Sequence, residues 1–283
     1  MSVKIVLDST TDLAPELLDE FEIVHLTVHF GEEEYTDGVT IDKKTFYEKL
    51  IESDVMPTTS QASPKAFEEI FKKITEAGDE AIAITLASDL SGTYQSACIA
   101  AAEFPGKVHV IDGKSVAIGT AILAEYALSF AKAGASAEKI VEEIEKAKKD
   151  IIIVALIDTL EYLQKGGRLS KTAAFAGGLL NIKPVISVAD GKINILGKAR
   201  GSKQGNNFLV KEKEKAGGVD FEKPLFLGYT GHDDYLLKKY VEDSRFLWEG
   251  NTKTLRETCV GSVIGTHVGP GAIAVAFFKK TTE

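Results

Sequence analysis

Apolar and polar positions alternate along this chain with two different periods, and the alternation itself predicts the elements. Val3 to Leu7 is a short β-branched run that predicts a first strand. Asp8 to Thr11 then makes a polar turn, and Asp12 can cap a short helix. Ile23 to Phe30 alternates with period two, as a second strand does. Asp42 to Ser53 has helical spacing, with Phe46, Leu50 and Ile51 on one face. A loop from Met56 to Ser63 follows, broken by Pro57. Ser63 before Pro64 is the signature of an N-cap with proline at the first helical position, and that helix runs to about Ala77, where Gly78 stops it. Ala81–Leu86 predicts a buried parallel strand, Tyr94–Glu103 a helix, Lys107–Ile111 a strand, Val116–Ala133 a long alanine-rich helix, Glu138–Lys149 a surface helix with Glu/Lys pairing, and Ile151–Leu156 another apolar strand.

After about Thr159 the texture changes. Gly166 to Ser170 reads as a turn with an N-cap, followed by a small-residue helix over Lys171–Asn181. Val185–Val188 and Lys192–Leu196 flank Asp190-Gly191 as a hairpin. A polar helix over Asn207–Ala216, a strand over Pro224–Tyr229, a helix over Asp233–Phe246, a strand near Thr252–Leu255 and a closing strand over Ile273–Phe278 complete the chain. The expected architecture is α/β in two domains. Residues 1–156 form a mainly parallel sheet with helices on both faces, and residues 157–283 form an α+β domain, with the last strand free to join either. No low-complexity linker separates the halves, so the two lobes should pack closely and leave a cleft as the default ligand site.

Composition narrows the chemistry. A net charge of −9 argues against nucleic acid as the main partner, and no apolar run reaches transmembrane length. The N-terminus turns polar too soon for a signal peptide, and the expected compartment is the cytosol. Cys98 and Cys259 have no partners at metal-site spacing and read as buried free thiols. GxxxxGK[ST], GxGxxG, GxSxG and HExxH are all missing. His25, His29 and His109 read as structural, and Asp8, Asp12 and Asp37 as capping and turn carboxylates.

What remains is three small-polar loops. Thr58 to Ser63 and Asp89 to Ser96 offer hydroxyls and backbone amides, and Gly265 to Ala272 places His267 in a glycine-rich turn. That set suits holding one anionic head group better than breaking a bond.

Together with Val6–Leu13, Gly166–Ser170 and Pro184–Ile186, these loops (Thr59–Gln61, Leu90–Ala97, His267–Ala272) resemble the DegV family over essentially the whole chain and in the expected order. The resemblance implies a two-domain protein that binds a long-chain fatty acid, such as palmitate or stearate, between its lobes. It is similar to the binding subunit of bacterial fatty acid kinase. It implies no catalysis by the chain itself, no cofactor and no metal; an ATP-dependent partner kinase would make acyl phosphate for phospholipid synthesis. Carried over by position, Thr59 and Ser91 would donate to the carboxylate and His267 would position or neutralise it, with a pKa raised by that anion. Ser60, Gln61, Gly92, Thr93 and Gly269 would stand around them, and Arg168 would be a cation at the cleft mouth.

Each of these residues has a plainer role open to it. Ser91 can cap a helix, Thr59 can be a turn residue, His267 a structural histidine, and Arg168 the partner of a surface carboxylate. The tail, at about 0.8 kcal/mol per buried CH₂, would contribute on the order of 10 kcal/mol before binding entropy is subtracted. Ile99–Ala102, Val116–Leu123 and Ala173–Ile182 have the composition of its walls. Two departures stand out. Ala62 follows Thr-Ser-Gln where the family usually has proline, and Gly197–Asn207 is rich in glycine and asparagine. Lys192–Lys223 carries an excess of basic residues that would suit a partner-docking face. The alternative function is a hydrolase or transferase on a small acyl or phosphorylated substrate, with Ser91 as nucleophile and His267 as base.

Overall fold

Strand-forming runs of Ile, Val and Ala build two sheets, and one apolar helix lies between them. The computed structural model describes residues 2–169, 182–252 and 254–280. In chain order the first part comprises β1 (Val3–Asp8), β2 (Glu22–Val24), β3 (Thr27–Phe30), β4 (Glu33–Thr36), α1 (Lys43–Glu52), β5 (Thr58–Ser60) and α2 (Pro64–Glu76). It continues with β6 (Glu80–Thr85), α3 (Thr93–Ala101), β7 (Val108–Asp112), α4 (Ile118–Lys132) and α5 (Ala137–Ala147). The second part comprises β8 (Ile151–Leu156), α6 (Glu161–Lys165), β9 (Ile182–Ala189), β10 (Lys192–Arg200) and α7 (Gly201–Lys215). It ends with β11 (Phe226–Tyr229), α8 (Tyr235–Asp243), α9 (Arg245–Trp248), β12 (Arg256–Cys259), α10 (Ser262–Val268) and β13 (Ile273–Phe278).

The first sheet is parallel, in the order β2-β1-β6-β7. The second has six strands in the order β10-β9-β8-β13-β11-β12, antiparallel except for the β11–β12 pair. A small antiparallel sheet, β4-β3-β5, stands apart. The architecture is thus the expected α/β one. β8, the last element before the expected division after residue 156, pairs with β9 and β13 in the second sheet. An apolar strand buried along nearly its whole length, as Ile151–Leu156 is, carries no face pattern to say which sheet takes it. The closing strand β13 also joins the second sheet.

Helix α4 touches β1 and β6 on one side and β8, β11 and β13 on the other. This position explains a helix that is apolar nearly all round, with Ile118, Ala121, Ile122, Leu123 and Ala124 all buried. One continuous core joins Leu7 and Ile84 of the first sheet to Ile153, Phe226 and Phe278 of the second.

Other elements moved from their expected places. Ile23–Phe30 divides between the parallel sheet (β2) and the small sheet (β3). The strand expected near Thr252–Leu255 lies at Arg256–Cys259. The helix expected at Asn207 begins at Gly201, which absorbs the glycine-rich segment. Gly205 lies so close to Leu156 that a Cβ there would stand 2.4 Å from its Cδ2, so this glycine serves close helix–sheet packing. Within the basic stretch, Lys213 is buried and donates to the Tyr240 hydroxyl at 2.8 Å, and burial lowers its pKa to about 7. It adds little to a surface charge. Cys98 and Cys259 are free and half-buried, more exposed than expected. The helix expected over Lys171–Asn181, its Ser170 cap and most of the expected wall segment Ala173–Ile182 lie outside the described residues.

Candidate functional site

The site begins with a three-residue strand. β5 pairs with β3 so that Thr59 stands opposite Val28. Ser60 bonds His29 Nε2 at 2.9 Å, as a structural histidine would be bonded. Thr59 shares a 3.0 Å hydrogen bond with His267 Nε2.

His267 sits in the last turn of α10, a short helix where a glycine-rich turn was expected. The helix forms because distant carboxylates cap it. Asp12 Oδ1 accepts from the Gly261 amide at 2.6 Å, and Asp37 Oδ1 accepts from the Ser262 amide at 3.3 Å and its hydroxyl at 2.5 Å. Tyr47 adds a hydroxyl to the Val260 carbonyl at 2.9 Å. Two of the three acidic residues read as local turn and capping groups therefore act across the lobes. Asp8 does serve its own turn, accepting from the Thr10 amide and hydroxyl, and it also takes the Leu86 amide at 2.7 Å. Among the described residues no cluster of His, Cys, Asp and Glu is placed to hold a metal ion.

A cleft of about 360 Å³ opens between the first lobe and the β9–β10 hairpin of the second. Thr59, Ser60, Gln61, Ser91, Gly92, Arg168 and His267 line it, together with Leu26, Leu86, Val116, Ile186, Val188 and Ile264. Val116, Ile186, Val188, Ile264 and Val268 also wall an inner chamber of about 60 Å³ that presents only apolar surface. The cleft is therefore polar in one region and purely hydrocarbon in another.

Seven of the nine sequence-predicted site residues meet here. Thr93 and Gly269 do not. Thr93 is buried at the start of α3, with its hydroxyl 3.0 Å from that of Ser91. Gly269 ends α10 with φ +75°, packed where any Cβ would strike Tyr162. Ser91 accepts from the Thr93 amide at 3.3 Å, so the turn role and a cleft-facing position coexist. Among the described residues, Arg168 does not pair with a surface carboxylate. Its Nε donates to the Leu90 carbonyl at 3.2 Å and its Nη1 to the Gly166 carbonyl at 2.6 Å, which fixes a guanidinium in the cleft wall.

Burial, more than any neighbouring charge, sets the electrostatics of His267. Burial, and then Arg168, lower its pKa to about 4 rather than raising it, so the ring is neutral at pH 7. Its Nδ1 is buried and has no hydrogen-bond partner among the described residues. The ring fits because residue 166 is glycine: a Cβ there would lie 2.2 Å from Nδ1.

Of the expected tail walls, Val116, Ala117 and Ile118 do line the cleft or its inner chamber. Ile99 is exposed on the surface of α3, whose sheet-facing residues are the alanines. The hairpin residues Ile186, Val188 and Ile193 were missed as walls, although their alternation along β9 and β10 was a usable signal.

The fold and the sequence are similar to those of known proteins. A family model described as an uncharacterised protein of the DegV family matches residues 2–280. A DegV domain-containing protein of Caldanaerobacter subterraneus is 36% identical, over 98% of this chain and 99% of its own. Among solved structures, a DegV family protein of Thermus thermophilus, described for its fatty acid binding, superposes with a TM-score of 0.88 at 30% identity, covering 99% of this chain and all of that one. DegV of Bacillus subtilis, described as a fatty acid binding protein, gives 0.83 at 28% identity, over 99% of this chain and all of its own. A stearic acid-binding protein of Eubacterium ventriosum gives 0.84 at 27%, over 98% of each chain. With the match running from residue 2 to residue 280, this chain belongs to the DegV family.

Proposed function

We propose that the chain binds a long-chain fatty acid in this cleft and presents the carboxylate to a partner kinase that converts it to acyl phosphate. The observation that carries the reading is the division of the cleft: a neutral His267 bonded to Thr59 beside a fixed guanidinium in one region, and an inner chamber without polar surface in another. A carboxylate taken out of water needs donors and a counter-charge, which Thr59, Ser91 and Arg168 can supply. The tail needs only apolar wall. The fatty acids described for the structural relatives support the same assignment. The enzyme alternative draws no support from the geometry, because the hydrogen bonds of Ser91 run to Thr93 and that of His267 runs to Thr59.

Mass spectrometry of an organic extract of the purified protein should find a long-chain acid, of about fourteen to eighteen carbons, whose tail is long enough for its burial to outweigh the cost of binding. Absence of any such acid, together with no binding of added palmitate, would remove the carrier reading. With ATP and a fatty acid kinase the bound acid should become acyl phosphate, and the chain alone should turn over nothing.

A single methyl group at a distance tests the role of the imidazole. Gly166→Ala puts a Cβ 2.2 Å from the present position of His267 Nδ1 and should swing the ring off Thr59. Palmitate affinity should fall about tenfold while the fold survives, with overpacking costing about 1–3 kcal/mol. Titration of intrinsic or ligand fluorescence reads the first effect and urea unfolding the second.

A further inference from the structure

A second cavity, of about 670 Å³, lies apart from the proposed fatty acid cleft. It opens on the N-terminal side of α10, near the β1 turn and the end of β12, and shares no lining residue with the cleft. Five carboxylates line it, those of Asp12, Asp37, Asp42, Asp234 and Glu257. Two lysines oppose them. Lys43 is shared between Asp12 Oδ1, at 3.5 Å, and the Cys259 carbonyl. Lys238 meets Asp234 at 2.8 Å on the open surface of α8, where such a pair is weak.

Two buried polar atoms are left over at this cavity. Asp12 is 2% exposed and Thr11 6% exposed, and both line it. Asp12 Oδ2 and Thr11 Oγ1 have no hydrogen-bond partner among the described residues. A buried carboxylate oxygen without a donor is costly, and a donor arriving from outside would relieve it. Burial and the neighbouring Asp234 also raise the pKa of Glu257, as expected where acids crowd without enough positive charge.

The rest of the lining selects the kind of donor. Leu13, Leu18 and Ile23 supply aliphatic wall beside the acids. Leu18 is 50% exposed, and Tyr235, next to Asp234, is 64% exposed. No metal-holding cluster exists among the described residues, and the cavity is far larger than an ion needs. An ammonium or guanidinium on an aliphatic stem meets all of these conditions: its head pairs with carboxylates and its stem lies on apolar surface.

We propose that this cavity is a second binding site, which takes an ammonium or guanidinium group carried on an aliphatic stem. Such a group comes either as a free amine or as a lysine or arginine side chain of a partner protein.

The full chain, titrated calorimetrically at low ionic strength and about pH 8, where Asp12 is ionised, tests this. The probes are agmatine, the capped peptides Leu-Lys-Leu and Leu-Arg-Leu, and the neutral peptide Leu-norleucine-Leu. We expect saturable one-to-one binding of a cationic probe with a Kd near or below about 1 mM, no binding of the neutral peptide, and at least about tenfold weakening in high salt. Binding of agmatine assigns the site to a free amine; binding of the basic peptides alone assigns it to a partner's side chain. Asp12→Asn should abolish binding. Because Asp12 also caps α10, the double variant Asp234→Asn/Glu257→Gln serves beside it: these residues sit at the open edge, so it should keep fatty acid retention and melting temperature while weakening the cation at least about tenfold. Equal binding of the neutral peptide, indifference to the double variant, or no saturable binding up to about 10 mM overturns the proposal.

Discussion

Replacing Arg168 with glutamine should weaken palmitate binding about a hundredfold, close to 3 kcal/mol, the scale expected when one partner of a buried charge pair is removed. The guanidinium is held in the cleft wall by the Gly166 and Leu90 carbonyls, so its orientation is set before any ligand arrives. Without it a carboxylate would face a neutral imidazole and a few hydroxyls inside a low-dielectric cleft. The same substitution should move His267 in a defined direction. After burial, Arg168 is the group that lowers the pKa of His267 to about 4, so in Arg168→Gln the ligand-free ring should titrate nearer the ordinary histidine value. NMR titration of the imidazole reads that shift, and retention of labelled palmitate reads the affinity. Arg168→Lys should recover only part of the binding, because an ammonium lacks the fork that the two carbonyls hold. Unchanged retention in Arg168→Gln would place the counter-charge for the head group elsewhere.

Arg168 also shows where sequence reading stops. Three loops far apart in the chain could be assembled into one head-group site, since their residue types, hydroxyl, amide and imidazole, suggest the same ligand. The two glycines before Arg168 and the leucine after it gave no sign that backbone carbonyls would fix the guanidinium inward. The missed secondary structure has a similar origin. β5 is three polar residues that become a strand only because β3 offers an edge, and α10 is a glycine-interrupted run that becomes a helix only because Asp12 and Asp37 cap it from 249 and 225 residues away. By contrast, the caps at Asp42, Ser63 and Ser136 and the central helix α4 are locally encoded or strongly patterned, and α1, α2 and α4 fall within a residue or two of their predicted spans. Local rules thus gave the scaffold, while the parts that hold the cleft together depend on contacts no window of sequence contains. The expectation for the His267 pKa counted the ligand's charge, whereas the protein's own contributions, burial first and Arg168 second, lower it.

Those distant caps carry a second large effect. Burial raises the pKa of Asp12 to about 7 against the pull of Lys43, with Asp37 adding to the rise, and burial raises Asp8 to about 6. The ordinary value for both is 3.8. Between those limits the folded chain holds protons that the unfolded chain has released, so stability falls as pH rises from about 4 to about 7 and flattens above that. From pH 5 to pH 8 the loss should be about 2–3 kcal/mol for Asp12 and about 1 kcal/mol for Asp8. In Asp12→Asn the amide keeps an oxygen for the Gly261 amide but no longer ionises, so the slope over this range should shrink by the Asp12 share. Urea midpoints of wild type and variant at pH 5, 6, 7 and 8 measure it directly. The consequence reaches the cleft, because the cap holds one end of α10 and His267 rides on the other. Ionised Asp12 repels Asp37 at the point where both grip the helix, whereas protonated Asp12 removes that repulsion. Fatty acid retention should therefore weaken together with stability over pH 5 to 8 in the wild type and change less in Asp12→Asn. Parallel slopes in the two proteins would mean that Asp12 does not titrate in this range.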